Sequence, residues 1–398
     1  MPRVLLAWEG GAGRGHIVTL KTIADALGAP ALVDAALCRM EHADELAGSC
    51  ATVFQGASLG YQPHARGARP AARAATWGDF LADLGFCDRD LLIRQIGWWR
   101  DTLVARRVGL VIGDYAPCAL LAARSLGLAA VGVGTGYGLP PADLDQFPVL
   151  IDDYGARLYD EVEIVAAVNG ALAHFDAAPI VRAPEIYAYD DQLVRTLPQL
   201  DPYPSRSDDY LPPVADVASA VGGGGDEVFI YFSTSELADA ALMEAACTLD
   251  APTRLFAPGA TPAQRAALAR HPQVIVETRP VPVDQIARRS RMMLHSAQHG
   301  ILCLGLAAGL PQAAAPQHLE QEFHARRAQT AGVLRLLPRG GDAATLREAI
   351  RAVYHDADMA RHARAMAQDA RPRMLKDVAR LIRARLDRVM ARAGGQAR

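Results

Sequence analysis

Residues 295–321 read HSAQHGILCLGLAAGLPQAAAPQHLEQ, and this stretch decides the fold. A polar turn with Gly300 leads into a helix of small apolar residues, which the glycine and proline after it are expected to end. A short apolar strand follows, and the next loop carries Glu320 and Gln321. A helix N-terminus binds anions, and a carboxylate one loop away can bind hydroxyl groups. The stretch therefore predicts an α/β domain that binds a sugar nucleotide.

The composition indicates a globular protein of two domains. The chain has 398 residues, of which 51% are apolar and 21% charged, and its net charge of −3 gives no reason to expect a nucleic-acid partner. The six cysteines are scattered without metal-ligand spacing, so we expect reduced thiols and no metal site. No signal peptide and no membrane-spanning apolar run stand out. We expect a cytoplasmic protein, with attachment to the inner face of the membrane left open.

Strands and helices alternate in two series along the chain. Val4–Trp8 and Val108–Ile112 predict buried strands, and a second series begins with a strand at Val228–Phe232. The pattern predicts parallel sheets with crossover helices. Pro202–Gly225, rich in proline, aspartate and glycine, is the expected linker. We predict a first domain at 1–215, a second domain at 216–375 and a C-terminal helix at 376–398.

A glycine-rich loop, EGGAGRGH at residues 9–16, joins the first strand to the first helix. Its glycines, including Gly13 and Gly15, would let a ligand approach the backbone, but their spacing is not that of a dinucleotide-binding loop. His16 ends the loop, and Asp114 ends a strand of the same sheet. A histidine oriented by an aspartate suits general-base catalysis. In the simpler interpretation, His16 makes only a structural hydrogen bond at the helix start, and Asp114 acts only as an N-cap-like residue before the next helix.

Polar residues at the start of the second series predict a phosphate site. The hydroxyls of Ser233, Thr234 and Ser235 follow a strand, and a helix N-terminus is expected near Ser296–Gly300. The alternatives are that the three hydroxyl residues only cap a helix, and that Glu320 and Gln321 only cap the helix that follows them. Candidate ligand contacts in this half are His295, Ser296, His299, Gly300, Glu320 and Gln321.

Two further features have a simple and a functional interpretation. Asp143 and Asp145 form a DxD pattern, but the loop is flanked by prolines and we expect no metal there. Residues 89–107 form a helical pattern with five arginines and two tryptophans. Such a helix can lie on an anionic membrane, although arginines on an amphipathic face are more often structural.

These motifs together resemble glycosyltransferases of the GT-B fold, and most closely the macrolide- and plant-type UDP-glycosyltransferases. That family has a His-His-Gly-Gly-Ala-Gly-Thr segment, then Ala-Gly-Val-Pro, Pro-x-x-x-Asp-Gln and an Ala-Arg-Arg helix. This chain keeps the spacing with HSAQHG at 295–300, AGLP at 308–311, PQHLEQ at 316–321 and ARR at 325–327. It departs from the family at Ser296, where a histidine is usual, and at 297–298, where two glycines are usual.

The resemblance implies two Rossmann-like domains facing across a cleft, with an acceptor-binding domain at 1–215 and a nucleotide-sugar-binding domain at 216–375. It also implies that the C-terminal helix at 376–398 packs back on the first domain. The reaction would be an inverting, metal-independent transfer of a hexose-type sugar. The donor would be a nucleoside diphosphate sugar, with a UDP-sugar favoured and no further cofactor. The acceptor would be the hydroxyl of a small molecule or lipid. His16 would be the base with Asp114 as its partner, and Val281, in the RPVP loop at 279–282, would contact the nucleobase. The altered segment leaves two alternatives open, namely an inactive relative that binds a nucleotide or protein and a nucleotide-sugar epimerase.

Overall fold

The computed structural model describes the chain except residues 12, 63–72, 155–156, 204–205, 207–208, 214–216, 218–219, 223, 234 and 397–398, and the side chains of 394–396. The chain divides into two compact units. Unit 1 comprises Met1–Thr196, Asp201–Leu211 and Asp377–Arg398, and unit 2 comprises Leu197–Leu200 and Pro212–Lys376. The chain thus first enters unit 2 some residues before the predicted boundary at 215, and it returns to unit 1 beside the predicted boundary at 376.

Unit 1 is built on a parallel sheet with the strand order β3-β2-β1-β4-β5-β6. Its strands are β1 (Arg3–Trp8), β2 (Val33–Leu37), β3 (Thr52–Gln55), β4 (Val108–Asp114), β5 (Ala129–Gly134) and β6 (Asp191–Val194). The central strands are apolar along almost their whole length and are buried, as expected when helices cover both faces of a sheet. The order of connection reverses between β1 and β4, and such a reversal leaves a ligand-binding crevice at the carboxyl ends of the two strands.

Within the described residues of unit 1, six α-helices accompany this sheet, and the last of them follows unit 2 along the chain. They are α1 (Arg14–Leu27), α2 (Trp77–Asp83), α3 (Arg89–Ala105), α4 (Pro117–Ser125), α5 (Glu161–His174) and α13 (Val378–Gln396). Ile382, Leu386 and Val389 recur at helical spacing and are buried in the same core as the apolar face of α1. Arg385 forms a bidentate ion pair with Asp191 at the start of β6. Apolar burial and this ion pair together hold α13 on unit 1.

Unit 2 repeats the architecture with the strand order β12-β11-β10-β7-β8-β9, again all parallel. Its strands are β7 (Glu227–Tyr231), β8 (Thr253–Phe256), β9 (Val274–Glu277), β10 (Ser290–His295), β11 (Gln312–Ala314) and β12 (Leu334–Leu336). Its helices are α6 (Ala240–Cys247), α7 (Pro262–Leu268), α8 (Val283–Arg289), α9 (His299–Ala308), α10 (Leu319–Thr330), α11 (Ala343–Tyr354) and α12 (Ala357–Met374). The reversal here lies between β7 and β10. The predicted α/β class with two parallel sheets is confirmed.

Arginines of α3 and of its C-cap, Arg106, contact other parts of unit 1. Arg100 donates to the Ser125 hydroxyl and lies over the ring of Phe175, and Arg106 donates to the buried Asp34 carboxylate. These contacts match the structural interpretation of the arginine-rich helix. In the described part of the chain, none of the helices combines the length and the apolar character needed to cross a bilayer.

Candidate active site

The reversal point of the first sheet brings His16 and Asp114 together. Nδ1 of His16 lies 3.1 Å from Oδ2 of Asp114. Asp114 is the last residue of β4, with 7% of its side chain exposed, and His16 lies in the first turn of α1, with 23% exposed. When Nδ1–H donates to the carboxylate, Nε2 carries the lone pair and can accept a proton. The pair has the geometry of a histidine base oriented by an aspartate.

The imidazole of His16 is held between an aromatic ring and the glycine loop. The ring of Trp8, at the end of β1, stacks on it with a centroid distance of 4.9 Å. A Cβ atom on Gly11 would lie 2.9 Å from Nε2, and the φ angle of Gly11 is +82°, so only glycine leaves this space around the imidazole. Ideal Cβ positions on Gly13 and Gly15 meet nothing within 4 Å. The start of α1 is therefore open on the side of these two predicted contact residues.

Glu9 is a buried carboxylate beneath the loop that carries His16. Its two oxygens accept the backbone N–H groups of Cys118 and Ala119, each at 2.9 Å, so a residue next to β1 caps the N-terminus of α4. Burial raises the pKa of Glu9 from 4.5 to about 8, and the two amide hydrogen bonds oppose this rise. Sequence reasoning did not assign this residue a role. The available signal was a charged side chain directly after the apolar run Val4–Trp8.

Arg195, another residue that sequence reasoning missed, places a buried positive charge near Asp114. It follows β6 and is 4% exposed. Burial lowers the pKa of Arg195 to about 10, and the Asp114 carboxylate opposes this change. Asp114 thus has both an imidazole and a guanidinium in its surroundings.

The reversal point of the second sheet carries a network of polar side chains. The Gln298 amide donates to Ser233 Oγ at 3.1 Å and to Glu236 Oε1 at 2.9 Å. Ser296 Oγ also donates to Glu236 Oε1, and both Ser296 and Glu236 are fully buried. Ser235 Oγ donates to Gln317 Oε1 at 2.9 Å. The predicted Thr234 lies outside the described residues.

Helix α9 begins beside this network without a side-chain cap. In the described part of the chain, side-chain caps begin α2, α3, α5, α6, α7, α11 and α12. The N-cap residue of α9, Gln298, makes no such bond, and an ideal Cβ on the exposed Gly300 meets nothing within 4 Å. Anions bind at a helix N-terminus of this kind through backbone N–H groups. The start of α9 is thus open for an anion.

His295 and His299 lie inside unit 2. Nδ1 of His295 accepts the N–H of Ala297 at 2.8 Å, and Nε2 lies 2.7 Å from Oε1 of Gln312. Burial lowers the pKa of His295 to about 4, so the ring is neutral and supports the turn. The His299 ring is 9% exposed and lies 5.1 Å from the buried ring of His324. We had expected both histidines to donate to a ligand, but their burial leaves the backbone N–H groups of the turn as the better placed donors.

The remaining candidates lie near the start of α10 and before α8. Gln321 is 3% exposed, and its Oε1 accepts the N–H of Gln317 at 2.8 Å, which matches the capping interpretation. Glu320 is half-buried in the first turn of α10, and Val281 is half-buried against the core of unit 2.

The DxD loop is bound by an arginine. Arg182 donates to the Asp145 carboxylate at 3.2 Å and to the carbonyl of Asp143 at 3.3 Å. Across the residues that the structure describes, no three His, Cys, Asp or Glu side chains converge on a common point as metal ligands do.

No protein-family model and no curated protein sequence matches this chain. Solved structures do match it over nearly their whole length. The spinosyn rhamnosyltransferase SpnG complexed with thymidine diphosphate matches with a TM-score of 0.66 and 18% identity, covering 96% of this chain and 99% of SpnG. The glycosyltransferase VinC in complex with dTDP has a TM-score of 0.65 and 16% identity, with coverages of 97% and 100%.

A third match is CalG4, the calicheamicin glycosyltransferase, with a TM-score of 0.68, 16% identity and coverages of 98% for both chains. At these identities the likeness concerns the fold. It confirms, at the level of structure, the resemblance drawn from the sequence motifs. The chain has the two-unit Rossmann-like GT-B fold of these glycosyltransferases.

Proposed function

We propose that the protein is a glycosyltransferase that transfers a hexose-type sugar from a nucleoside diphosphate sugar to an acceptor hydroxyl, with inversion and without a metal ion. The His16–Asp114 pair, 3.1 Å apart at the reversal point of the first sheet, carries this proposal. A fold shared with SpnG, VinC and CalG4 supports it. The first unit would bind the acceptor and the second the donor.

In this mechanism His16 is the general base. Its Nε2 takes the proton of the acceptor hydroxyl as the hydroxyl oxygen bonds to the anomeric carbon of the sugar. The bond from that carbon to the diphosphate breaks, and the electron pair leaves with the phosphate oxygen. Attack from the face opposite the leaving group inverts the anomeric centre. Asp114 keeps Nδ1 protonated and stabilises the imidazolium that forms.

The leaving diphosphate would be stabilised at the start of α9. The backbone N–H groups near Gly300 provide hydrogen-bond donors, and the helix dipole adds positive potential at this position. The Ser235 hydroxyl would exchange its bond to Gln317 for one to a phosphate oxygen. Glu320 would bind sugar hydroxyls, and Val281 would contact the nucleobase. We propose a UDP-sugar or dTDP-sugar as donor, because two of the similar structures are complexes with thymidine diphosphate.

The acceptor is proposed to be a small apolar molecule. The half-buried rings of Tyr115 and Phe80 lie 5.9 Å apart, and Tyr115 lies 6.2 Å from the ring of His16. Aromatic rings next to a base favour a flat or apolar acceptor. A lipid acceptor reached through α3 at a membrane is less favoured, since Arg100 and Arg106 already bind inside unit 1.

The test is His16→Ala. We expect turnover to fall by about 10²- to 10⁴-fold, the usual contribution of a general base, while the Kd of the donor stays within about twofold. His42→Ala is the matched control, because His42 is exposed and lies on a different loop. Turnover unchanged in His16→Ala would remove His16 from the mechanism.

A second candidate function is an inactive relative that binds a nucleotide. The observation that favours it is the network in which Ser296 and Gln298 are bonded to Glu236 at the expected phosphate site. Calorimetry with UDP, GDP and dTDP, followed by transfer and hydrolysis assays with the matching sugar nucleotides, separates the two candidates. Tight binding without transfer or hydrolysis would favour the binder, and a changed sugar without an acceptor would point to epimerisation.

A further inference from the structure

The unusual residues of the 295–300 segment share one bonding partner. Ser296 and Gln298 stand where the resembled family has a histidine and a glycine, and both donate to the same oxygen of Glu236. Gln298 also bonds to Ser233 with its amide nitrogen and accepts the N–H of Ser296 at 3.2 Å with its amide oxygen. The residues that depart from the family therefore form one hydrogen-bond network around the Glu236 carboxylate. They remove the family's phosphate-contacting histidine and also add new contacts of their own.

Backbone geometry shows that this turn is adapted to the network. Ala297 has a φ angle of +61°, a left-handed conformation that costs an alanine about 1–2 kcal/mol. The Ala297 N–H donates to Nδ1 of His295, and Nε2 of the same ring is hydrogen-bonded to Oε1 of Gln312. An ideal Cβ on Gly305 would lie 2.4 Å from the Gln312 side chain, so the glycine leaves the space that this side chain needs to bond to His295. Ser296 and Gln298 are thus fixed with their side chains on Glu236.

The network places a carboxylate next to the N-terminus of α9. Glu236 is fully buried, and the Gln298 side chain that binds it belongs to the N-cap residue of the helix. The hydroxyl and the amide that donate to it carry no formal charge. A carboxylate charge that is buried away from water acts over several ångströms with little screening. A diphosphate at the start of α9 would be repelled by it.

We propose that Glu236 is a specificity-determining residue that weakens the binding of anionic nucleotides at α9. This inference rests on the proposed function, because it assumes that the diphosphate of a sugar nucleotide occupies this helix start. The carboxylate reduces the affinity for the nucleoside diphosphate product most, since a free diphosphate carries more negative charge than a diphosphate ester. Glu236 thereby favours release of the product over its retention.

The decisive variant is Glu236→Gln, which keeps an oxygen acceptor for Ser296 and Gln298 but removes the charge. Calorimetry on the full chain with UDP and dTDP should show Kd values about tenfold lower than in the wild type, as expected for one charge removed near a polyanion. Binding of the uncharged nucleosides uridine and thymidine should not change. Glu244→Gln, an exposed carboxylate on α6, is the control for net charge and should leave all Kd values unchanged.

A second variant covers the case in which Glu236→Gln does not fold. Glu236→Met combined with Ser296→Ala removes the carboxylate together with the hydroxyl that donates to it, a change that proteins tolerate better than the loss of one partner. The Gln298 amide, the other donor to Glu236, keeps its bond to Ser233. It should tighten diphosphate binding to a similar extent.

Diphosphate Kd values equal to or above the wild-type value in a folded variant would overturn the inference, as would equal tightening of nucleoside and diphosphate binding. In those cases the proposed function stands, because the wild type still binds the diphosphate. Absence of diphosphate binding in the wild type and in every variant would overturn the proposed function and this inference with it.

Discussion

Glu9 gives the chain a testable dependence of stability on pH. The carboxylate is fully buried and caps α4, and burial raises its pKa from 4.5 to about 8. A carboxyl group whose pKa is raised by folding binds more protons in the folded than in the unfolded state between these two values. The free energy of unfolding of unit 1 should therefore be largest, as far as Glu9 contributes, below pH 4.5 and fall as the pH rises through 8.

The magnitude follows from the size of the shift. One pKa unit corresponds to about 1.4 kcal/mol, so Glu9 should remove about 1.4 kcal/mol per pH unit within this window and up to about 5 kcal/mol in total. Glu9→Gln abolishes the titration. It also places an NH₂ group against a backbone N–H of α4, which costs about 1–3 kcal/mol at every pH. The difference in unfolding free energy, variant minus wild type, should thus start negative and rise with pH.

Tryptophan fluorescence during urea unfolding measures this effect in unit 1 alone. The chain has four tryptophans, and all of them, Trp8, Trp77, Trp98 and Trp99, belong to unit 1. Wild type and Glu9→Gln would be unfolded at half-unit steps from pH 5 to 8.5. A difference that stays constant over this range would refute the reasoning. It would mean that the two N–H groups of α4 keep Glu9 ionised in spite of its burial.

Three further predictions concern the base, the C-terminal helix and the second unit. Asp114→Asn should lower turnover by about two orders of magnitude or more with an unchanged donor Kd, because the histidine loses its orienting carboxylate. Steady-state kinetics would measure the turnover and calorimetry the donor Kd. Turnover equal to that of the wild type would contradict the prediction. Arg385→Ala leaves the half-buried Asp191 without its guanidinium partner and should destabilise unit 1 by about 1–3 kcal/mol in the same urea assay. A loss below about 0.5 kcal/mol would mean that apolar contacts alone hold α13. Folding lowers the pKa of His295 from 6.5 to about 4, so the folded state binds fewer protons than the unfolded state between these values. Acidification through that range should therefore lower the free energy of unfolding of unit 2 by up to about 3 kcal/mol. Pulse proteolysis of unit 2 should show this loss in the wild type and no such loss in His295→Gln.

Local patterns in the sequence were enough to predict most of the strands and helices. Val108–Ile112 was predicted as a strand from its apolar run, and β4 extends through Asp114. The continuous apolar pattern over Glu236–Leu249 favours one helix, but the structure has a short 3-10 turn at Ser235–Ala238 followed by α6 at Ala240–Cys247. The division occurs because Asp239 caps α6 through the N–H of Leu242, and a continuous apolar pattern does not reveal such a cap.

The sequence by itself determined that chemical groups stand at the carboxyl ends of buried strands. His16 and Asp114 could be placed there because apolar runs mark parallel strands and because polar residues that end such strands share one edge of the sheet. The tertiary structure alone decided which strands are neighbours, and with them which side chains meet. It made Glu9 the cap of α4, placed His295 inside unit 2 and turned Ser296 and Gln298 toward Glu236. Desolvation and hydrogen-bond partners depend on atoms far away along the chain, and local sequence spacing does not encode them.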